Sequence, residues 1–297
     1  MIKNTCLIFL ILSTSINLYG SDSSTIVDRH SDNETVNVSS VDLNETLDQS
    51  TYHTMLKGSF VAGLGTFMSL MLVKAPYGRY SSQDWGPTLP NKVAWILMEL
   101  PSVVFFSYCL KSPKGLESTA RKLLASLWLS HYSYRTFIFP NLIRSKNKRM
   151  PMMIALSGFA YNTLNSYLNG TWIAEHGDYD HWEKDPRFLL GASLFLAGFI
   201  LNVHSDLTLI KLRSIHETGY SIPYGGGYKF VSAPNYLGEI IEWTGWSIAS
   251  WSLPALSFAL YTSANLVPRA LAHHQWYKET FKETYPKDRK AIFPGIL

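Results

Sequence analysis

Six stretches of apolar sequence constrain this chain more than any other feature in it. They are residues 54–73, 93–110, 123–140, 151–173, 188–212 and 240–264. Each is near the roughly 20 residues a helix needs to cross hydrocarbon. Residues 268–277 follow as a more polar helix and a candidate seventh crossing. A soluble bundle would have to hide all these blocks from water. It would have to do so with charged residues at 16% of the chain, against roughly 25% in ordinary soluble domains. The pattern therefore reads as an all-α, polytopic membrane protein of about seven transmembrane helices.

The N-terminal fifty residues differ from the rest. Lys3, a short apolar core at 6–12 and a polar run ending at Gly20 resemble a cleavable signal peptide over 1–20. Residues 21–50 are rich in Ser, Asp, Asn and Thr, and read as a disordered lumenal segment. Three Asn-x-Ser/Thr sequons, at Asn33, Asn37 and Asn44, make it a candidate for glycosylation. Its seven acids and one Arg give a balance of −6, whereas 24 bases and 15 acids give residues 51–297 a balance of +9. Cleavage would leave Cys109 alone, which excludes an intramolecular disulfide.

A lumenal N-terminus and seven crossings within 51–297 put the tail at 278–297 in the cytosol. Arg144, Lys146, Lys148 and Arg149 after the third block, and Lys211 and Arg213 after the fifth, agree with the bias of Lys and Arg toward that side. The acid-rich run from Glu175 to Asp185 is then lumenal. Lys111, Lys114, Arg121 and Lys122, after the second block, run against the bias.

Ionisable groups within apolar blocks mark sites by default, because each costs roughly 2.5–3.5 kcal/mol to insert. In "SAPNYLGEIIEW" and the residues after it, Asn235, Glu239, Glu242 and Trp246 stand at i, i+4, i+7 and i+11, on one helix face. Asn202, Asp206 and Arg213 share a face of the fifth block, and Arg269, His273 and Tyr277 a face of the last helix. All three stripes sit near cytosolic ends, so a common cavity is expected. Its mixture of Arg, His, Asn, Tyr and carboxylates suits a large ligand with phosphates and hydrogen-bonding groups, such as a nicotinamide dinucleotide. No strand–GxGxxG–helix unit is present, which excludes a Rossmann site. The same stripes could instead be polar glue between helices.

A second cluster holds Glu99, in "WILMELP", with His131, Tyr132 and Arg135, in "SHYSYRTF". A buried acid that keeps its proton, beside a phenol, could polarise a carbonyl as an oxyanion hole does. Pairing of Glu99 with a structural Arg is the alternative.

These segments resemble the steroid 5α-reductase family. "NKVAWILMELPS" and "SHYSYRTFIFP" are similar to its second and third spans. "NVHSDLTLIKLR", the run from "GYSIPYGGG" through "SAPNYLGEIIEWTGW", and "PRALAHHQWYKETFKETYPKDRK" resemble its C-terminal half. The likeness covers about 72–297. It implies a seven-helix fold in the endoplasmic reticulum membrane, with NADPH reaching the last three helices from the cytosol. A 3-oxo-Δ4 steroid would come from the lipid and sit against helices one to four. Hydride would pass to C5 of the enone, and C4 would then take a proton. By the same resemblance Glu99 would bind the C3 carbonyl with Tyr132. Tyr77, Arg135, Asn202, Asp206, Arg213, Asn235, Glu239, His273 and Tyr277 would contact the cofactor. Ser221 stands where many members have Arg, so Arg213 or Lys148 would supply that charge. The implied partners are steroid and membrane lipid, not nucleic acid, and the protein would be a monomer.

A trans-2-enoyl-CoA reductase shares much of the C-terminal pattern, but it normally adds a ubiquitin-like domain and lacks the "MELPS" context. A non-catalytic sterol-binding membrane protein is a reading of a different class.

Overall fold

The computed structural model describes residues 40–74, 80, 85–143, 148–215 and 220–297, without the side chains of 40–48, 214 and 215. The signal-like residues 1–20, Asn33, Asn37, Tyr77 and the side chain of Asn44 lie outside the described residues.

The described chain forms seven long helical rods. α1 is Ser40–Leu72 and α2 is Asn91–Cys109. α3 joins Thr119–Ser133 through a π-helical turn, Tyr134–Ile138, to a last turn, Phe139–Leu142. α4 joins Met152–Thr171 to a π-helical turn, Trp172–His176. α5 is Pro186–Ile215, α6 is Pro234–Ser250 and α7 is Leu253–Phe281. α1 starts at Ser40, inside the stretch expected to be disordered.

Two further expectations change. First, the apolar block at 240–264 is two helices. Trp251 takes a left-handed conformation (φ 46°) at the end of α6. Ser252 Oγ then caps α7 by accepting from Ala255 N–H, with Pro254 in the first turn. Pro268 lies inside α7 and does not begin it. Second, among the described residues three helical stretches are long and apolar enough to cross a membrane: Gln49–Leu72, Asn91–Cys109 and Pro186–Arg213. Among those residues the count is three and not seven, in part because α6, at 17 residues, and the continuous α-helical part of α3, at 15, fall short of a full crossing. In α4, Asn162, Asn165, Ser166 and Asn169 are buried against the bundle.

That polar stripe lies against α2 around Pro101. Pro101 interrupts α2 from within. Asn162 Nδ2 donates to the Met98 carbonyl at 2.7 Å, Ser166 Oγ to the Pro101 carbonyl at 3.3 Å, and Trp128 Nε1 to the Ser102 carbonyl at 2.9 Å. Neighbouring side chains thus satisfy backbone groups that no water would reach. Arg121 is similar. It is buried, and it donates from Nε to the Ile173 carbonyl (3.0 Å) and from Nη2 to the Gly177 carbonyl (2.7 Å). It ties α3 to the end of α4, which removes one of the four bases that ran against the charge bias.

α5 and α6 pack backbone to backbone. Gly191 and Gly198 on α5 face Gly245 and Gly238 on α6, and a Cβ added at any of them would come closer than 3.0 Å to backbone atoms of the other helix. Small residues at this spacing let membrane helices approach closely. Beside this seam sits an aromatic core. Trp128 stacks on Phe106 at 4.7 Å, and Trp243, Trp246 and Phe258 surround it.

Two short strands, β1 (Thr88–Pro90) and β2 (Arg149–Pro151), pair antiparallel with Leu89 opposite Met150. This clip joins the starts of α2 and α4 and holds Lys148 and Arg149 in place. Residues after α7 fold back on the start of α6: Ser232 N–H donates to the Lys290 carbonyl at 2.8 Å, and Ile292 is fully buried.

Candidate active site

A cleft opens where the C-terminal ends of α5 and α7 meet the N-terminal end of α6, closed on its other side by α2, α3 and the strand clip. It encloses about 1300 Å³, counting its open mouth. Its wall contains Arg135, Asp206, Arg213, Asn235, Glu239, His273 and Tyr277. Seven of the nine residues implied as cofactor contacts therefore share one cavity.

The floor is a closed network. Arg135 reaches Asp206 Oδ2 at 3.2 Å and Glu239 Oε1 at 3.5 Å. Asn235 Nδ2 donates to Asp206 Oδ1 at 3.0 Å. Asn202 sits directly beneath, donating to the Asn235 carbonyl (2.9 Å) and to Glu239 Oε1 (3.2 Å). The Arg135 guanidinium also lies over the rings of Phe139 (4.4 Å) and Trp95 (4.9 Å). The π-helical turn of α3 begins two residues after Tyr132 and includes Arg135, an irregularity common at functional positions.

The upper wall is aromatic and basic. The His273 ring lies 5.5 Å from that of Tyr236 and 5.8 Å from that of Tyr80. Arg269 donates to the Tyr236 hydroxyl at 2.8 Å, and Tyr277 stacks on Tyr285 at 5.4 Å. Arg135, Lys148, Arg149, Arg213 and Arg269 face the cleft against two carboxylates, Asp206 and Glu239. Asn202 Oδ1 is buried with no hydrogen-bond partner among the described residues. This donor set fits an anionic ligand that also carries amide and hydroxyl groups. Lys148 and Arg213 both stand in the wall.

Glu99 and Tyr132 do not line this cleft. They lie behind it, 9% and 3% exposed, in the packed interior. Asn162 Nδ2 approaches Glu99 Oε2 at 3.3 Å. Arg135, His131 and Glu239 bear on Glu99 electrostatically, and Glu99, Glu239 and Glu242 bear on Tyr132. Ser102 Oγ, nearby on α2, is buried with no hydrogen-bond partner among the described residues. Arg135 and Glu239 are thus shared: they belong to the cleft wall on one side and to the surroundings of the acid and the phenol on the other. Beside Tyr132, the rings of Tyr161 (α4) and Tyr261 (α7) stack at 3.6 Å.

The expected single polar face of α6 divides. Asn235 and Glu239 point to the cleft, but Glu242 meets His131 Nδ1 at 2.7 Å, and Trp246 Nε1 donates to Asn169 Oδ1 at 2.9 Å. The reason is packing: below Glu239, α6 is enclosed by α3, α5 and α7, so the deeper residues of that face meet protein. The sequence reading passed over Asn162, Trp95 and Tyr236. The spacing of Asn162, Asn165 and Asn169 was a usable signal for the first, and the placement of Trp95 four residues before Glu99 for the second.

Long apolar helices around a cation-rich cleft, with an acid and a phenol buried behind it, are the parts of a membrane-associated helical oxidoreductase. The comparisons with known proteins identify which kind. A family model described as 3-oxo-5-alpha-steroid 4-dehydrogenase matches residues 148–297. Steroid 5-alpha-reductase DET2 of Gossypium hirsutum is 40% identical over 254 residues, covering 84% of this chain and 98% of the relative. The 3-oxo-5-alpha-steroid 4-dehydrogenase 1 of Mus musculus is 43% identical over 234 residues (78% and 91%), and that of Bos taurus 42% over 243 (79% and 93%). The chain belongs to the steroid 5α-reductase family. It is a multi-pass membrane oxidoreductase acting on steroids, and membership implies the use of NADPH.

Proposed function

We propose that this protein reduces the C4–C5 double bond of 3-oxo-Δ4 steroids to 5α-3-oxosteroids, with NADPH in the cleft and Glu99 and Tyr132 at the C3 carbonyl. It works as a seven-helix protein of the endoplasmic reticulum membrane, its cleft toward the cytosol. The observation that carries the reading is the shared position of Arg135 and Glu239, which join the cleft to the acid–phenol pair behind it.

Lys148, Arg149 and Arg213 take the phosphates of the dinucleotide. Asp206, Asn235, Glu239, His273 and Tyr277 take its hydroxyl and amide groups, and Asn202 has a carbonyl oxygen to spare for a donor. Tyr77, which lies outside the described residues, belongs to the same proposal by resemblance alone. NADPH, when bound, supplies the hydride that adds to C5. The work of the chain is to stabilise the negative charge that then builds on the C3 oxygen. Tyr132 Oη–H donates to that oxygen, and Glu99 in its protonated form donates a second bond. Asn162 fixes the carboxyl that does so. Such donors act strongly because the site is dry and already organised. The steroid reaches Tyr132 from the lipid by displacing the Tyr161–Tyr261 stack, which fills the space between α4 and α7.

The test is to incubate the detergent-purified full chain with NADPH and a panel of 3-oxo-Δ4 steroids, following nicotinamide absorbance and the configuration at C5 of the product. Reduction with 5α stereochemistry is expected. No turnover of any enone steroid, or faster turnover of a trans-2-enoyl-CoA, would overturn the reading.

A further inference from the structure

α3 and α6 face each other through two rungs of polar contact. His131 and Arg135 stand four residues apart on α3, and Glu239 and Glu242 three apart on α6, so each pair shares a helix face. The outer rung, Arg135 with Glu239, belongs to the cleft wall. The inner rung, His131 Nδ1 with Glu242 Oε1 at 2.7 Å, is buried: the side chains are 4% and 0% exposed. Glu242 Oε2 has no hydrogen-bond partner among the described residues. Besides Glu242, the charged groups that bear on His131 are Glu239, Arg135 and Glu99.

Stability alone is a poor reason for this rung. Taking a carboxylate and an imidazole out of water costs about as much as their attraction returns, and well-packed apolar replacements of buried pairs are often neutral or stabilising. A carboxylate oxygen left without a donor makes the balance worse. The geometry offers another reason. The His131 ring meets the Tyr132 ring edge-on, at 5.0 Å and 76°, and the Trp243 ring at 4.6 Å and 68°. Trp243 lies against Tyr132 in turn, at 5.6 Å. His131 is therefore held at one end by Glu242 and bears on the phenol ring at the other.

We propose that Glu242 and His131 are positioning residues for Tyr132. Glu242 shares a hydrogen bond with His131 Nδ1 and fixes the ring. His131 and Trp243 then hold the phenol in the one orientation that presents its hydroxyl to the C3 carbonyl. Neither residue touches the steroid or the cofactor. The proposal rests on the reading of Tyr132 as donor to that carbonyl.

The deciding variant is the double replacement His131→Phe/Glu242→Leu. It removes both buried polar groups together, so a bundle that used them only for packing should fold and work. Thermal unfolding and NADPH titration of the full-length variant in detergent are expected to match the wild type. Its kcat is expected to fall by roughly tenfold or more, with KM for the enone steroid changed by less than about threefold. Glu242→Gln, whose amide can still pair with Nδ1 as acceptor or as donor, should recover most of that loss. A double variant that fails to fold, or one that folds and turns over as fast as wild type, would overturn the proposal. So would a Glu242→Gln variant as impaired as the double. A readout independent of turnover separates this idea from the steroid reading itself. 3-Fluorotyrosine at position 132 should give one narrow fluorine resonance in the wild type and a broadened or split one in the double variant. An unchanged line would overturn the positioning role, whereas a wild type inert to enone steroids would overturn the proposed function instead.

Discussion

Asn162 donates through one nitrogen to two acceptors on α2, the Met98 carbonyl at 2.7 Å and the Glu99 carboxylate at 3.3 Å. The first contact anchors the amide to backbone beside Pro101, and the second makes the Glu99 carboxyl share that anchor. Replacing Glu99 by Gln puts a weaker amide donor in place of an acid O–H. Turnover should fall by roughly 100-fold or more, the usual scale for loss of one donor to a developing oxyanion. NADPH titration should be nearly unchanged. Equal losses in both would point to damage to the fold.

Asn162→Leu leaves the acid in place but frees its orientation. A loss in kcat of about tenfold, with cofactor affinity intact, is expected from the size of one hydrogen bond to such a group. Steady-state kinetics with a single enone steroid checks it, and wild-type turnover would show that Glu99 is held by packing alone.

Arg213 and Asn235 both line the cleft, on the adjacent helices α5 and α6. Arg213→Ala and Asn235→Ala should each weaken NADPH binding by roughly tenfold or more, read by quenching of cofactor fluorescence. Added salt should narrow the difference for Arg213 and not for Asn235, because only the first is a charge effect. Unchanged titrations in both would remove the cofactor from this cleft.

The Tyr161–Tyr261 stack gives a test of the steroid's place. Tyr261→Leu should change KM for the enone by roughly threefold or more, the scale of one aromatic pair, and leave NADPH affinity as it is. An unchanged KM would put the steroid elsewhere in the bundle.

Gly198 and Gly158 make a contrast in stability. At Gly198 an added methyl would meet the backbone of Glu242, which cannot give way without parting α5 from α6; at Gly158 it would meet only the side chain of Met98. Gly198→Ala should cost more than the roughly 1–3 kcal/mol typical of overpacking, and Gly158→Ala clearly less. Thermal unfolding in detergent compares them directly.

Much of the cleft was legible in the chain because helical spacing is a local property. Asn202 and Asp206, Asn235 and Glu239, His273 and Tyr277 stand four apart, and each pair does reach one cavity or its floor. What could not be read depends on neighbours. Glu242 continues the stripe of Asn235 and Glu239, yet the presence of His131 across the interface, 111 positions away, decides where it points. The border between α6 and α7 was hidden within an unbroken apolar run, although Ser252 and Pro254 spell a helix start. The π-helical turn that includes Arg135 has no signature in "YRTFI". Glu99 and Tyr132 were found by residue type and resemblance, and the wall between them and the cleft appears only in three dimensions.

The glycine seam has a consequence for how such a molecule can breathe. Two helices locked backbone against backbone leave no slack for side chains to trade places, so α5 and α6 carry their carboxylates and amides as a single stiff plate. Whatever widening a rigid four-ring guest demands must then be borne by the opposite half, where long side chains such as Met98 and the paired tyrosines can swing aside. On the proposed reading, one side of the protein keeps its shape for a water-soluble visitor, and the other side yields to a greasy one.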